Sequence, residues 1–197
     1  MYSAPVKLTI TLVISLLAIS SWALTFADYP AKSVKECLVS GGNVGVNIGL
    51  DAVEGANAQQ MYFHMELAKK GFLPVFVVIE NRAADSVIFD KSRINYGAAG
   101  SVTSTPPAGP EAAAMFAISA IPIVGVVASM DIIPKASEIR ENLLKKEIQS
   151  ATLSPGSFTR GFIYVPIPKK SPRGKIALRI PIAKAGTGEN FDVNLIL

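Results

Sequence analysis

The stretch Leu73-Pro-Val-Phe-Val-Val-Ile79 constrains the fold more than any other part of this sequence. It is short, rich in β-branched residues and almost continuously apolar, which is the pattern of a central core strand. Its neighbours follow the same grammar. Asn43–Leu50 alternates polar residues or Gly with aliphatic ones and reads as a half-buried strand. Glu80–Asp85 is a polar turn, after which Ser86–Tyr96 completes a strand pair. Between the first two strands, Ala56–Lys70 carries Phe63 and Leu67 four apart and ends in Lys69-Lys70 before Gly71, so a short helix is expected there.

The β pattern resumes in the second half. Thr152–Gly156 is a strand end with a Pro-Gly turn, and Phe158–Ile167 sets Phe162, Tyr164 and Pro166 against Ile163, Val165 and Ile167. Pro166 predicts an edge position, because proline cannot donate to a ladder. Lys175–Ala183 and Asn190–Ile196 form a hairpin around Lys184–Glu189. Roughly six or seven short strands, without helices alternating regularly between them, predict an antiparallel β-sandwich.

The N-terminus speaks to location. Lys7 precedes Leu8–Ala27, which is free of charge, and both Ser21-Trp22-Ala23 and Thr25-Phe26-Ala27 place small residues where a signal peptidase reads. Residues 1–27 are therefore expected to be a signal peptide cut after Ala23 or Ala27, or an uncut anchor. Cys37 is the single cysteine, so no intramolecular disulfide forms, and the charged Lys35-Glu36 before it argues against lipidation. Residues 28–197, about 170 in all, suffice for one domain.

That domain carries an insertion at about 108–149. Ala112–Met130 has no charge and is long enough for a membrane helix, but a simple crossing would separate strands that must share one sandwich. Two readings remain. Ile121-Pro122 breaks the run into a hairpin that dips into lipid or packs in an oligomer, with Phe116, Ile118, Ile123, Val124, Gly125 and Val127 among its contacts; or the run is an Ala-rich helix laid over the sandwich. Ser137–Ile148 is an amphipathic helix with Ile139, Leu143 or Leu144, and Ile148 on its apolar stripe.

Positive charge is uneven. Lys135–Lys184 holds eleven Lys or Arg against three Glu, while the rest of the chain is net acidic. Lys169, Lys170, Arg173 and Lys175 crowd what reads as a hairpin loop, suited to anionic headgroups or an acidic partner, or simply a solvated turn beside apolar strands. Nucleic acid is not expected, since the nearby aromatics alternate within strands. Nor does the sequence assemble catalytic chemistry. His64 is the single histidine, its neighbours Tyr62, Phe63 and Met65 are bulky, and Gly41-Gly42-Asn-Val-Gly45 leads into a strand where a phosphate loop would lead into a helix. Glu54, Glu66, Glu80 and Asp85 show no pairing in their spacing. No cofactor or metal is expected.

Gly71–Asn81, a strand ending in Asn before a turn and a second strand, resembles the opening of immunoglobulin-like domains of exported bacterial envelope proteins and is similar to the late-embryogenesis and water-stress (LEA14/WHy) sandwich. Leu153-Ser-Pro-Gly156 followed by Gly161–Tyr164 is similar to the later turn and aromatic strand of the same proteins. The resemblance implies an immunoglobulin-like antiparallel sandwich with a short helix after the first strand and a structural or binding role; it carries over no active-site residue. The expected function is that of a non-enzymatic structural or accessory subunit of a cell-envelope assembly, in the periplasm or at the outer membrane. Its partners would be other envelope proteins or copies of itself, with membrane contact through 112–130. The alternative is a monomeric periplasmic binding or stress-protection domain of the LEA14/WHy kind.

Overall fold

The computed structural model describes residues 25–98, 136–167 and 176–197. Most of residues 1–27, expected to be a signal or anchor, the 112–130 run and the basic residues 169–175 lie outside them. Nine strands among the described residues form two antiparallel sheets. The first holds β1 (Val39–Asn43), β2 (Val46–Ala52), β3 (Phe72–Asn81) and β7 (Phe158–Pro166) in the order β1-β2-β3-β7. In the second, β8 (Ile176–Lys184) pairs with β9 (Asn190–Ile196) on one side, and with β5 (Asn95–Ala98) and β4 (Val87–Phe89) on the other; β6 (Ala151–Leu153) pairs with β4. The protein is a mainly β sandwich.

The inner faces follow the two-residue period. Val46, Ile48 and Leu50 of β2 and Val75, Val77 and Ile79 of β3 pack with Val87, Phe89, Leu178, Ile180, Ile182, Val193 and Leu195 of the opposite sheet. Burying each such side chain contributes about 1.5–3 kcal/mol relative to exposure. The alternate residues of the first sheet are also buried. Phe76, Val78, Phe162 and Tyr164 form a second cluster with Val53, Phe63, Met65, Leu67, Ile139 and Leu143. This outer face is covered by helix α1 (Ala56–Phe63), the turn Leu67–Lys70, helix α2 (Ala136–Lys146) and the chain from Thr25 to Cys37. The continuous apolar reading of β3 thus has its cause: it is central, and each face meets a different layer.

Several expectations change. The first predicted strand, Asn43–Leu50, spans a turn. Val44 and Gly45 both have positive φ, 49° and 79°, and join β1 to β2 as a tight hairpin, so the short helix follows the second strand. That helix stops at His64, which takes a left-handed conformation (φ 53°), and the chain resumes only as a short 3-10 turn. Ser86–Tyr96 does not pair with β3. It splits into β4 and β5 around the turn Lys91–Arg93, and β4 joins the opposite sheet. Segment 168–175 is likewise not a hairpin loop, because β7 pairs with β3 while β8 pairs with β9, β5 and β4; it connects the two sheets. On α2, Leu143 is buried and Leu144 is 42% exposed, while Ile148 has left the helix and enters the inter-sheet core.

Two local devices bind the layers. A Cβ on Gly161 would meet the backbone N of Ile148 at 2.5 Å. Glycine there lets Glu147–Ile148 run against β7, where Ile148 N donates to Phe162 O (3.0 Å) and the chain passes from the helical layer to β6. At the far end of β3, Asn81 is fully buried and satisfied. Its Nδ2 donates to Asp85 O (2.8 Å) and Leu153 O (2.9 Å), and its Oδ1 accepts from Ala83 N (2.9 Å). Its main chain pairs with the turn, N to Ser157 O and O from Gly156 N. One side chain therefore locks the crossover that carries β3 to the second sheet.

Candidate functional site

Polar chemistry among the described residues gathers on the helix-covered face. The chain from Thr25 to Cys37 crosses it as a strap without a regular helix or strand before Val34. Tyr29 is the wedge, its ring 4.7 Å from Phe76, 5.0 Å from Tyr62 and 5.1 Å from Phe162 between centroids. Its hydroxyl donates to Asp51 Oδ2 (2.6 Å), and the Lys32 ammonium meets the same oxygen. Asp51 projects outward from β2 with its side chain 12% exposed, so this carboxylate is nearly out of water and compensated by two donors. Burial, reinforced by Asp51, pushes the Tyr29 phenol far above its ordinary value.

Cys37 sits at the end of the strap against Gly49, where a Cβ would come within 2.6 Å of its sulfur. Burial and the Asp51 charge push its thiol up, with Lys32 opposing. The group is held as a thiol, a packing element with little nucleophilic character at neutral pH. The 3-10 turn before it opens on Ser33, whose N and Oγ both donate to Glu36 Oε2 at 2.7 Å.

Lys146, the last residue of α2, is the second fastening. Its ammonium donates to Ala27 O (2.6 Å) and Tyr62 O (2.7 Å) and lies 5.7 Å from the Phe63 ring centroid and 5.9 Å from that of Phe26. Asn142, one turn earlier, donates to the same Tyr62 carbonyl (3.0 Å). Burial lowers the Lys146 pKa against the attraction of Asp28. His64 Nε2 donates to Thr25 O (2.9 Å), with its ring 4.6 Å from Phe26. A shallow open depression beside it is lined by Thr25, Ala27, Asn57, Gln60, Met61 and His64. The face binds its own backbone; its imidazole, ammonium and carboxylate are all engaged by the strap. Among the described residues no three His, Cys, Asp or Glu come together as a metal site. Glu66 pairs with Lys69 and Glu80 with Arg82, each within a few residues.

A second place is defined by where strands end. Ala98, the last residue of β5, is the register partner of Ile176, the first of β8, and Ile176 exchanges both backbone hydrogen bonds with Leu197. Segment 99–135 therefore leaves the sandwich beside the point at which segment 168–175 rejoins it. The latter departs after Ile167, whose N donates to Gly71 O at 2.7 Å. Phe116, Ile118, Ile121, Pro122, Ile123, Val124, Gly125 and Val127, and Lys169, Lys170, Arg173 and Lys175, lie in these two segments, outside the described residues. Sequence reasoning passed over Tyr29, Asp51 and Lys146. The signal available was weak: an acid in an otherwise apolar strand and a lysine at a helix end, each ordinary until the strap covers it.

No protein-family model, curated protein or solved structure matches the chain.

Proposed function

We propose that this protein is a non-enzymatic structural or accessory subunit of a bacterial cell-envelope assembly, exported by its N-terminal signal, with an immunoglobulin-like sandwich as its rigid body. It meets its partners or a membrane through the apolar run 112–130 and the basic loop 169–175. The observation that supports this reading is the pairing of Ala98 with Ile176: the chain departs toward the apolar run and returns from the basic one at partnered positions of the second sheet. An apolar stretch together with a separate cationic one is a combination that suits an anionic lipid surface or an acidic partner subunit. The engagement of His64 by the Thr25 carbonyl, and of Asp51 by Tyr29 and Lys32, supports a binding role over a catalytic one.

The test is single-cysteine labelling at Ile118, Ile123 and Val127 in a Cys37→Ser background, together with sizing of the purified protein with and without detergent. Protection of these sites in cells, and a particle whose size responds to detergent, are the expected results. Free labelling and a monomer indifferent to detergent would sink the proposal and favour the LEA14/WHy kind of solitary domain.

A further inference from the structure

We infer that residues 25–27 belong to the mature domain and that signal processing occurs after Ala23, leaving the Ala27–Asp28 bond uncut. This rests on the export reading above. Both Ser21-Trp22-Ala23 and Thr25-Phe26-Ala27 satisfy the small-residue rule of a signal peptidase, so composition does not separate them. The fold does. Of the four residues 24–27 that the second cut would remove beyond the first, the three described ones are each tied down. Thr25 O accepts from His64, the Phe26 ring packs edge-on against the His64 ring, and Ala27 pairs through both its N, to Met61 O at 3.4 Å, and its O, from Lys146 at 2.6 Å.

The electrostatic consequence is sharper than the loss of contacts. Lys146 is half-buried among the rings of Phe26, Tyr62 and Phe63, and two carbonyls take the place of its water. A cut after Ala27 deletes one of those carbonyls and the Phe26 ring. It also creates an α-ammonium on Asp28 N, one bond from where the deleted carbonyl carbon stood. With a reference pKa near 8 the new group is charged at neutral pH, so two cations would share a partly desolvated site with the Asp28 carboxylate as the one counter-charge acting on Lys146 there. A cut after Ala23 leaves the strap and its fastenings whole. The mature N-terminus is then Leu24, one residue before the strap.

The full-length chain, expressed in a bacterial host that exports it, is to be purified and read by intact mass and N-terminal sequencing. The expected terminus is Leu24. A terminus at Asp28 overturns the inference while leaving export in place; an intact chain starting at Met1 overturns processing altogether and removes the cleaved-signal reading on which the inference rests. Two full-length variants sharpen the test. Ala27→Leu, which spoils only the second motif, should still mature to Leu24. Ala23→Leu should accumulate as precursor, or yield an Asp28 product that melts at a lower temperature than the wild-type mature protein. Normal maturation of Ala23→Leu to an Asp28 product of unchanged melting temperature contradicts the inference.

Discussion

The two faces of the β1-β2-β3-β7 sheet are buried by different means. The inner face is largely aliphatic and β-branched, meets another sheet chiefly through strand residues, and relies on side-chain shape. The outer face is aromatic: Phe76, Phe162, Phe63 and Tyr164 stack with Tyr29 and Tyr62 beneath two helices and a strap. That layer is fastened by polar ties to main-chain atoms, among them Tyr164 Oη to Leu143 O, Gln59 Nε2 to Val53 O and Lys146 to Ala27 O and Tyr62 O. Strands that pair along a ladder need no such ties, because their backbone groups satisfy one another. Irregular segments laid across a sheet do, because each carbonyl they bury needs a donor from elsewhere. Aromatic rings suit that layer, since one large planar side chain bridges elements whose spacing is irregular.

This contrast can be broken most directly by truncating each core. Phe162→Ala is expected to cost about 3–5 kcal/mol, and Leu178→Ala about 2–5 kcal/mol. With the outer substitution, hydrogen exchange should show amides of α1 and α2 losing protection before those of β2 and β8; with the inner one, all should fall together. Uniform loss in both variants would show that the layers open as one unit. Asn81→Ala, at the crossover between sheets, leaves the Leu153 carbonyl, in a buried bond, and the part-buried Asp85 carbonyl without their donor and should cost about 1–3 kcal/mol in urea unfolding with the slope unchanged.

Alkaline pH comes next. Tyr29, Tyr96 and Tyr164 all have raised pKa values, chiefly through burial. Each is therefore fully stabilising below the unfolded value, and above about pH 10 the unfolded chain releases protons that the folded one keeps. Melting temperature should fall as pH rises from 9 to 11, and Tyr29→Phe should shallow the decline. Lys146, whose pKa is lowered, acts with the opposite sign, raising stability as pH climbs from its folded value to its ordinary one. The smallest effect expected is chemical. With its thiol half-buried and pushed up, Cys37 should react with a maleimide at neutral pH at least about tenfold more slowly in the folded protein than in urea. Equal rates would mean that the strap is not closed over the outer face.

Legibility tracked the locality of the cause. The hairpin Ile176–Lys184 with Asn190–Ile196, the burial of β3 on both faces and the edge position of Pro166 were all readable, because alternation, continuity and a missing amide act within a few residues. The β1 hairpin was missed although Val44-Gly45 sits inside it, because a valine with positive φ carries no turn signature. Which strands share a sheet was not readable at all. Glu80–Asp85 has the composition of a hairpin turn yet crosses between sheets, and the deciding contact is Asn81 to Leu153, 72 residues apart. The same holds for Tyr29, Asp51 and Lys146, which share one face only after four separate segments have folded.

By itself, then, the sequence determined the class of this protein: short apolar strands, turns between them, a charge-free run near the N-terminus and two unlike segments, one apolar and one basic. Periodicity and charge are properties of neighbours along the chain, and a single pass along it recovers them. Tertiary structure alone decided that the central strands of the first sheet are buried on both faces, that Ala98 pairs with Ile176, and that Thr25–Ala27 packs on the fold. Each of these depends on backbone hydrogen bonds and desolvated charges between residues far apart in sequence, and such pairings acquire their energy only when the chain closes around them.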